Sequence, residues 1–299
     1  MILPEMTHYL GPDVTGAAIG ARMEEFAGAG IKHLQLNPKD LQRMKDDPEY
    51  RREMFYQADK NKLTIRDAHA PHQVEDSLGV PVPVELVIKS QLNAIEIAGS
   101  LGLTTLTIHA GRTRRVGEFA QDYGLFPYVD LPAAEKRVCQ ALDVLIPAAE
   151  KNNCIIALEN LFLPACTADF LTPIVEKYNH PNLGMCYDSG HALLVEAQDG
   201  KTSDDIAEWI RCGWDDDKVI FQSDQLDRML NQVVTTHLHD NNGKNDQHLA
   251  PGDGVANWDS IIERLKKAPR LTTLQSELIG RLVVAPASDV VEWYKMFNI

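Results

Sequence analysis

Positive charge is scarce in this 299-residue chain: 29 Lys and Arg stand against 43 Asp and Glu, a net charge of −14. A duplex-binding surface needs clustered Lys and Arg to displace phosphate counterions, so nucleic acid is not an expected partner. A local basic patch is still enough for one small phosphate. No apolar run approaches the ~18 residues that a membrane span needs, so no membrane association is expected. Met1-Ile2-Leu3-Pro4-Glu5 carries no basic region ahead of an apolar stretch, and no secretory leader is expected. The five cysteines (Cys139, Cys154, Cys166, Cys186 and Cys212) are odd in number and far apart. That spacing argues against a disulfide framework or a CxxC zinc site and fits a reducing cytoplasm. Also missing are a GxSxG elbow, a Walker loop and a cysteine with a histidine near it in sequence, which sets aside the commonest nucleophilic and nucleotide-binding chemistries.

What the chain does have is alternation. Apolar, β-branched runs at about 6–10, 31–36, 63–69, 103–108, 154–158, 183–187, 233–237 and 271–276 are each followed by a stretch with helical spacing. In the fourth such stretch, for example, Val138, Leu142, Leu145 and Ala149 fall in helical register. Eight strand–helix units with no break in composition predict α/β architecture in a single (β/α)8 TIM barrel spanning 1–299. An open doubly wound sheet usually carries fewer strands at this length, and no Gly-rich loop follows the first strand. The segment at about 195–231, between strands six and seven, exceeds a plain connection. With Trp209, Trp214 and Phe221 it reads equally well as a lid or subunit contact and as ordinary core packing.

A barrel gathers the C-terminal ends of its strands at one mouth. This chain places His69, His109, Glu159, Asp188, His191, His237, Asp246, His248 and Glu277 there, five imidazoles and four carboxylates. Carboxylates at the ends of apolar strands are costly to bury unpaired, and no basic residue precedes them on those strands. A divalent cation supplies the missing partner, since mixed imidazole and carboxylate sites suit Zn, Mn, Fe or Co.

These motifs resemble a known superfamily. His69-Ala70-Pro71, Ile108-His109-Ala110-Gly111, Ala157-Leu158-Glu159-Asn160, Asp188-Ser189-Gly190-His191, His237-Leu238-His239-Asp240, Asp246-Gln247-His248 and Ser276-Glu277 are similar, in order and placement, to the xylose-isomerase-like TIM barrels. That superfamily includes endonuclease IV and the sugar phosphate isomerases and epimerases. In the ketose 3-epimerase branch one metal is held by a set that maps onto Glu159, Asp188, His237 and Glu277. His239 is the rival for the third position, and the spacing to Asp240 favours His237. The resemblance makes Glu159 and Glu277 acid and base, and matches His191 to a substrate contact. The chain departs from that branch at two further contacts, where Ala165 replaces a Glu and Gly243 an Arg. In the endonuclease IV branch three zincs are held by nine ligands, and all nine positions above have counterparts.

The chemistry this resemblance implies is metal-assisted proton abstraction beside the carbonyl of a small sugar, sugar phosphate or polyol-derived ketone. Return of the proton to the same carbon gives epimerisation, return to its neighbour isomerisation, and loss of a β-hydroxyl dehydration, as in inosose dehydratases. The rival is a zinc phosphodiesterase. One divalent ion is the leading expectation and three the upper bound. Arg112, with Arg114 and Arg115, follows His109, and the run reads equally well as a grip on a phosphate or carboxylate and as a solvated loop. By analogy with other acidic barrels, the chain is expected to form a homo-oligomer.

Overall fold

The computed structural model describes residues 2–11, 17–71, 84–110, 131–278 and 285–297. Its centre is a closed ring of eight parallel strands in chain order. They are β1 (Met6–Tyr9), β2 (His33–Leu36), β3 (Thr64–His69), β4 (Thr105–Ile108), β5 (Ile155–Glu159), β6 (Leu183–Asp188), β7 (Val233–Leu238) and β8 (Leu274–Ser276). The ring closes where Met6 and Thr7 pair with Leu274 and Gln275. The (β/α)8 barrel read from the strand–helix alternation is therefore the observed fold. Among the described residues no helix is long and apolar enough to cross a membrane.

Three strands begin two or three residues after the start of their apolar runs: β2 at His33, β4 at Thr105 and β8 at Leu274, where pairing with a neighbouring strand opens. The charged stretch after β2 is two helices, Pro38–Asp46 and Pro48–Lys60. Pro48 forces the division: proline pushes the residue before it out of helical backbone, and Asp47 sits extended at φ −122°. Asp47 then turns the break into a start, its carboxylate accepting from the amides of Glu49 and Tyr50.

Side chains alternate across each strand. Leu34, Leu36, Leu106, Ile108, Ile156, Leu158, Met185 and Leu274 join the large buried core between sheet and helices. The opposite parity is polar. Thr105 Oγ1 donates to Asp67 Oδ1 at 2.7 Å, and Gln275 Nε2 donates to Thr235 Oγ1 at 2.8 Å. Gln275 Nε2 also reaches Thr105 Oγ1 at 3.2 Å, which joins β8 to β4 on the opposite side of the ring. Barrel interiors are commonly filled by branched apolar residues. Here hydrogen-bonded Thr, Gln and Asp fill the lower layers, and the same parity continues upward into His69, Glu159, Asp188, His237 and Glu277.

Between β6 and β7 the chain forms short helices at Ser189–Val195, Glu208–Arg211 and Gln225–Met229. The first two border a second apolar cluster in which Ile206, Ile210, Trp214 and Val219 pack with Leu161, Phe162 and Leu163 from the loop after β5, whereas Leu226 and Met229 of the third join the large core. Trp214 Nε1 donates to the Phe162 carbonyl at 2.9 Å, so its polar edge is satisfied while its ring is buried.

Candidate metal centre

Most of the charged groups at the mouth arrive by the same device, a strand whose inward parity ends in an imidazole or carboxylate, while His191 comes from the helix after β6 and Asp246 and His248 from the loop after β7. Glu159 is the last residue of β5, Asp188 the last of β6, and His237 the fifth of β7's six residues. Glu159, Asp188, His237 and His239 are all but fully buried, and Glu277 is 5% exposed.

The donor atoms fall into three groups, in each of which they lie within 4.8 Å of one another: His69, His109 and Glu159; Glu159, Asp188, His237 and Glu277; and His191, His239, Asp246 and His248. Glu159 belongs to two of them and divides its oxygens accordingly. Its Oε2 is 3.2 Å from His69 Nε2 and 3.1 Å from His109 Nε2. Its Oε1 is 3.1 Å from His237 Nδ1 and 3.3 Å from His191 Nδ1. His237 Nδ1 is also 3.4 Å from Glu277 Oε2 and 3.8 Å from Asp188 Oδ2. All nine positions singled out by strand-end placement thus share one mouth. Arg112, Arg114 and Arg115 lie outside the described residues.

Backbone carbonyls set the histidine tautomers. His69 Nδ1 donates to Ala70 O at 2.7 Å, His248 Nδ1 to Glu277 O at 2.7 Å, and His191 Nδ1 to Asn160 O at 3.1 Å. Each such bond leaves the Nε2 lone pair directed elsewhere, the usual arrangement behind a metal-ligating imidazole. Asp188 does two things at once: Oδ1 accepts from the His191 amide at 2.6 Å and starts the helix there, while Oδ2 lies 3.1 Å from His239 Nε2.

The electrostatics follow from this crowding. Burial alone raises a carboxyl pKa, yet the imidazoles of His237 and His109 hold Glu159 well below the carboxylate range. Asp188 goes the same way, with His191 and His239 outweighing burial. Glu277 goes the other way: burial, with Glu159 and Asp188 nearby, pushes it up against the pull of His237 and His248. Burial disfavours the imidazolium of His191, but Asp188 and Asp246 more than reverse that and hold it above its ordinary value. His237 is likewise held up against burial, by Cys186, Glu277 and Glu159. Among the described residues every cationic partner within 4.0 Å of Glu159, Asp188 and Glu277 is an imidazole.

Two residues add to what strand-end reasoning found. His239, weighed only as a rival for His237, has a place of its own. It is stacked 4.0 Å from His248 at 15° and belongs to the third group. Its signal was the strand period itself, since His237 and His239 share parity. Gly190 is the second: a Cβ there would meet His239 Cε1 at 2.0 Å, so only glycine leaves room for that ring. Asp240, in contrast, organises the loop. Its two oxygens accept from the amides of Asn241, Gly252 and Ala256 and from Trp258 Nε1.

Fold and site together define a barrel whose mouth gathers side chains that could hold a metal ion, and the sequence places the chain in a family of such barrels. Residues 23–273 match the family described as xylose isomerase-like TIM barrel, and the chain belongs to that family. Among curated relatives it is 26% identical over 205 residues to an uncharacterized protein of Sinorhizobium fredii, covering 66% of this chain and 54% of that one. It is 28% identical over 130 residues to an uncharacterized protein of Methanocaldococcus jannaschii, covering 42% of this chain. The matched stretches span 54% and 37% of those two proteins' lengths. Among solved structures, a D-tagatose 3-epimerase-like protein superposes with a TM-score of 0.65 at 20% identity, covering 99% of this chain and 98% of the other. D-psicose 3-epimerase with D-tagatose from Clostridium cellulolyticum H10 gives 0.62 at 14% identity, covering 99% and 94%. The IolI protein with a bound zinc atom gives 0.62 at 15% identity, covering 99% and 96%. At these identities the superpositions speak for the fold.

Proposed function

We propose that the protein is a divalent-metal-dependent isomerase or epimerase acting on a small sugar, sugar phosphate or polyol-derived ketone. The observation that carries this is the group Glu159, Asp188, His237 and Glu277, four mixed donors buried together at the strand ends. The group fits a divalent cation. Both ring nitrogens of His237 and Oε2 of Glu277 are buried with no hydrogen-bond partner among the described residues, which is costly unless something else satisfies them. The family membership and the epimerase neighbours named above support the same reading.

When bound, the cation would supply Lewis-acid polarisation of a carbonyl and a template for an adjacent hydroxyl. The side chains do the rest. Glu159 and Glu277 both lie close to His237 Nδ1, at 3.1 and 3.4 Å, and supply the two carboxylates that proton abstraction and return require. His191, 3.3 Å from Glu159, holds that carboxylate and orients a substrate hydroxyl. The donors lie within strands and at their ends, so the geometry is held by the barrel itself. Ala165 is buried in a short 3-10 turn, and Gly243 sits at φ 73°, a backbone that disfavours any longer side chain. The two contacts that ketose 3-epimerases make from those positions are therefore missing, which points to a substrate gripped differently. Glu277→Gln should remove turnover by about 10³-fold or more while the melting profile stays within a few degrees of wild type. Near-normal turnover in that variant would overturn the role.

A specific observation favours a second reading. Glu159 presents one oxygen to His69 and His109 and the other to His237, as a carboxylate bridging two cations does. That arrangement suits a zinc phosphodiesterase. Cleavage of an abasic oligonucleotide by the zinc-loaded protein separates the two readings.

A further inference from the structure

We infer that the segment between β6 and β7 builds the outer wall of the substrate site from Trp209 and Phe162, and that this wall selects a neutral ring ketone over a sugar phosphate. By ring ketone we mean a cyclic polyol whose carbonyl is not consumed in closing the ring. The inference rests on the isomerase reading of the mouth and names the substrate class that suits it.

Three rings run outward from Glu159, each nearly perpendicular to the next. His191 Nδ1 lies 3.3 Å from Glu159 Oε1. Phe162 meets the His191 ring at 5.1 Å and 81°, and Trp209 meets Phe162 at 5.3 Å and 87°. Hydrogen bonds fix both aromatic rings in place. Trp214 Nε1 holds the Phe162 carbonyl at 2.9 Å, and Trp209 Nε1 donates to Asn245 Oδ1 at 3.0 Å. Asn245 immediately precedes Asp246, whose Oδ2 is 3.5 Å from His191 Nε2. Trp209 is therefore tied to the loop after β5 through Phe162 and to the loop after β7 through Asn245. The Ala207 amide, donating to the Lys244 carbonyl at 2.8 Å, strengthens the second tie.

These are the two loops in which Ala165 and Gly243 stand where a Glu and an Arg would contact a ketose. Polar grips are gone from both, and the segment that bridges them brings aromatic carbon. A corner of perpendicular rings, with Trp209 only half-buried, suits the flat C–H face of a saturated ring. Charge then decides against a phosphate. From 202 to 217 the segment carries six carboxylates (Asp204, Asp205, Glu208, Asp215, Asp216 and Asp217) and one cation, Arg211. Lys244 beside it is paired with Asp205 at 3.2 Å. A phosphate dianion approaching this side meets like charge, whereas a neutral polyol does not.

The test titrates the protein as purified, with its resident ions, with scyllo-inosose and with fructose 6-phosphate. Tryptophan fluorescence reports binding, and deuterium exchange into the same compounds reports chemistry. The inference predicts that scyllo-inosose changes the fluorescence of the wild type and that Trp209→Phe loses that change. Its Kd should rise about tenfold in Trp209→Leu and in Phe162→Leu, while exchange at saturation falls by less than about threefold. Fructose 6-phosphate should bind at least about tenfold more weakly than scyllo-inosose. Wild-type affinity in both leucine variants would overturn the wall. No binding of scyllo-inosose, or equal or tighter binding of fructose 6-phosphate, would overturn the substrate class. Should Phe162→Leu fail to fold, the two Trp209 variants decide. Binding that depends on Trp209 without deuterium exchange into either compound would count against the isomerase reading and leave the wall standing. Exchange with unaltered affinity in both leucine variants would do the reverse.

Discussion

At the scale of single residues, the centre depends on one missing Cβ as much as on its ligands. Gly190 lies against the His239 ring so closely that alanine would require the ring or the Ser189–Val195 helix to shift. Gly190→Ala should therefore cost about 1–3 kcal/mol in denaturant melts, as overpacking elsewhere does. It should also weaken binding at the His239 group, and an unchanged midpoint would show that the ring has room to move. The individual ligands were legible in the sequence because each is an abrupt polar residue ending an apolar run: Glu159 after Ile155-Ile156-Ala157-Leu158, Asp188 after Tyr187. The requirement for Gly190 was not, because it arises from a ring 49 positions later that no local pattern connects to it. The division of Glu159's two oxygens between His69 and His237 was equally invisible, since it depends on how β3, β5 and β7 sit around the ring.

At the scale of elements, β1 and β8 are joined by a histidine that stays neutral. His8 Nδ1 is 2.9 Å from Ser276 Oγ, and its ring stands edge-on to Tyr294 at 5.6 Å. Burial pushes its pKa down to about 3 from an ordinary 6.5. The unfolded chain thus takes up a proton at pH 6.5 that the folded one refuses, and stability falls as pH drops from 6.5 toward 3. Between pH 6.5 and 5 the loss from this residue is about 2 kcal/mol. His8→Gln should flatten the acid limb by that amount in urea melts at pH 7 and pH 5, whereas parallel losses in the two proteins would contradict the assignment. Element boundaries were the least readable feature. The run from Leu271 to Ser276 is continuous in sequence, but the strand proper holds only its last three residues. The split at Pro48, by contrast, is written in the sequence as a proline after a capping aspartate.

At the scale of the molecule, the barrel was legible because period-2 and period-3.6 patterns alternate eight times. The polar interior was not, because Thr7, Asp67, Thr105 and Gln275 are each unremarkable in their own strands and become a network only when the ring closes. That network makes the barrel floor hydrophilic beneath a mouth of three donor groups. Removing divalent ions should lower the melting temperature of the whole barrel, because the groups tie β3 through β8 together and leave like charges unscreened when stripped. A melt with and without chelator checks this, and identical curves would count against resident ions.

The central claim is proton abstraction beside a carbonyl by Glu159 and Glu277. Its most direct test is exchange in deuterated water, with metal-loaded protein acting on a panel of ketoses, ketose phosphates and inososes. The account predicts deuterium at the carbon next to the carbonyl of at least one of them, abolished by chelator and by Glu277→Gln. The account is contradicted if nothing on the panel exchanges and the same preparation cleaves an abasic oligonucleotide.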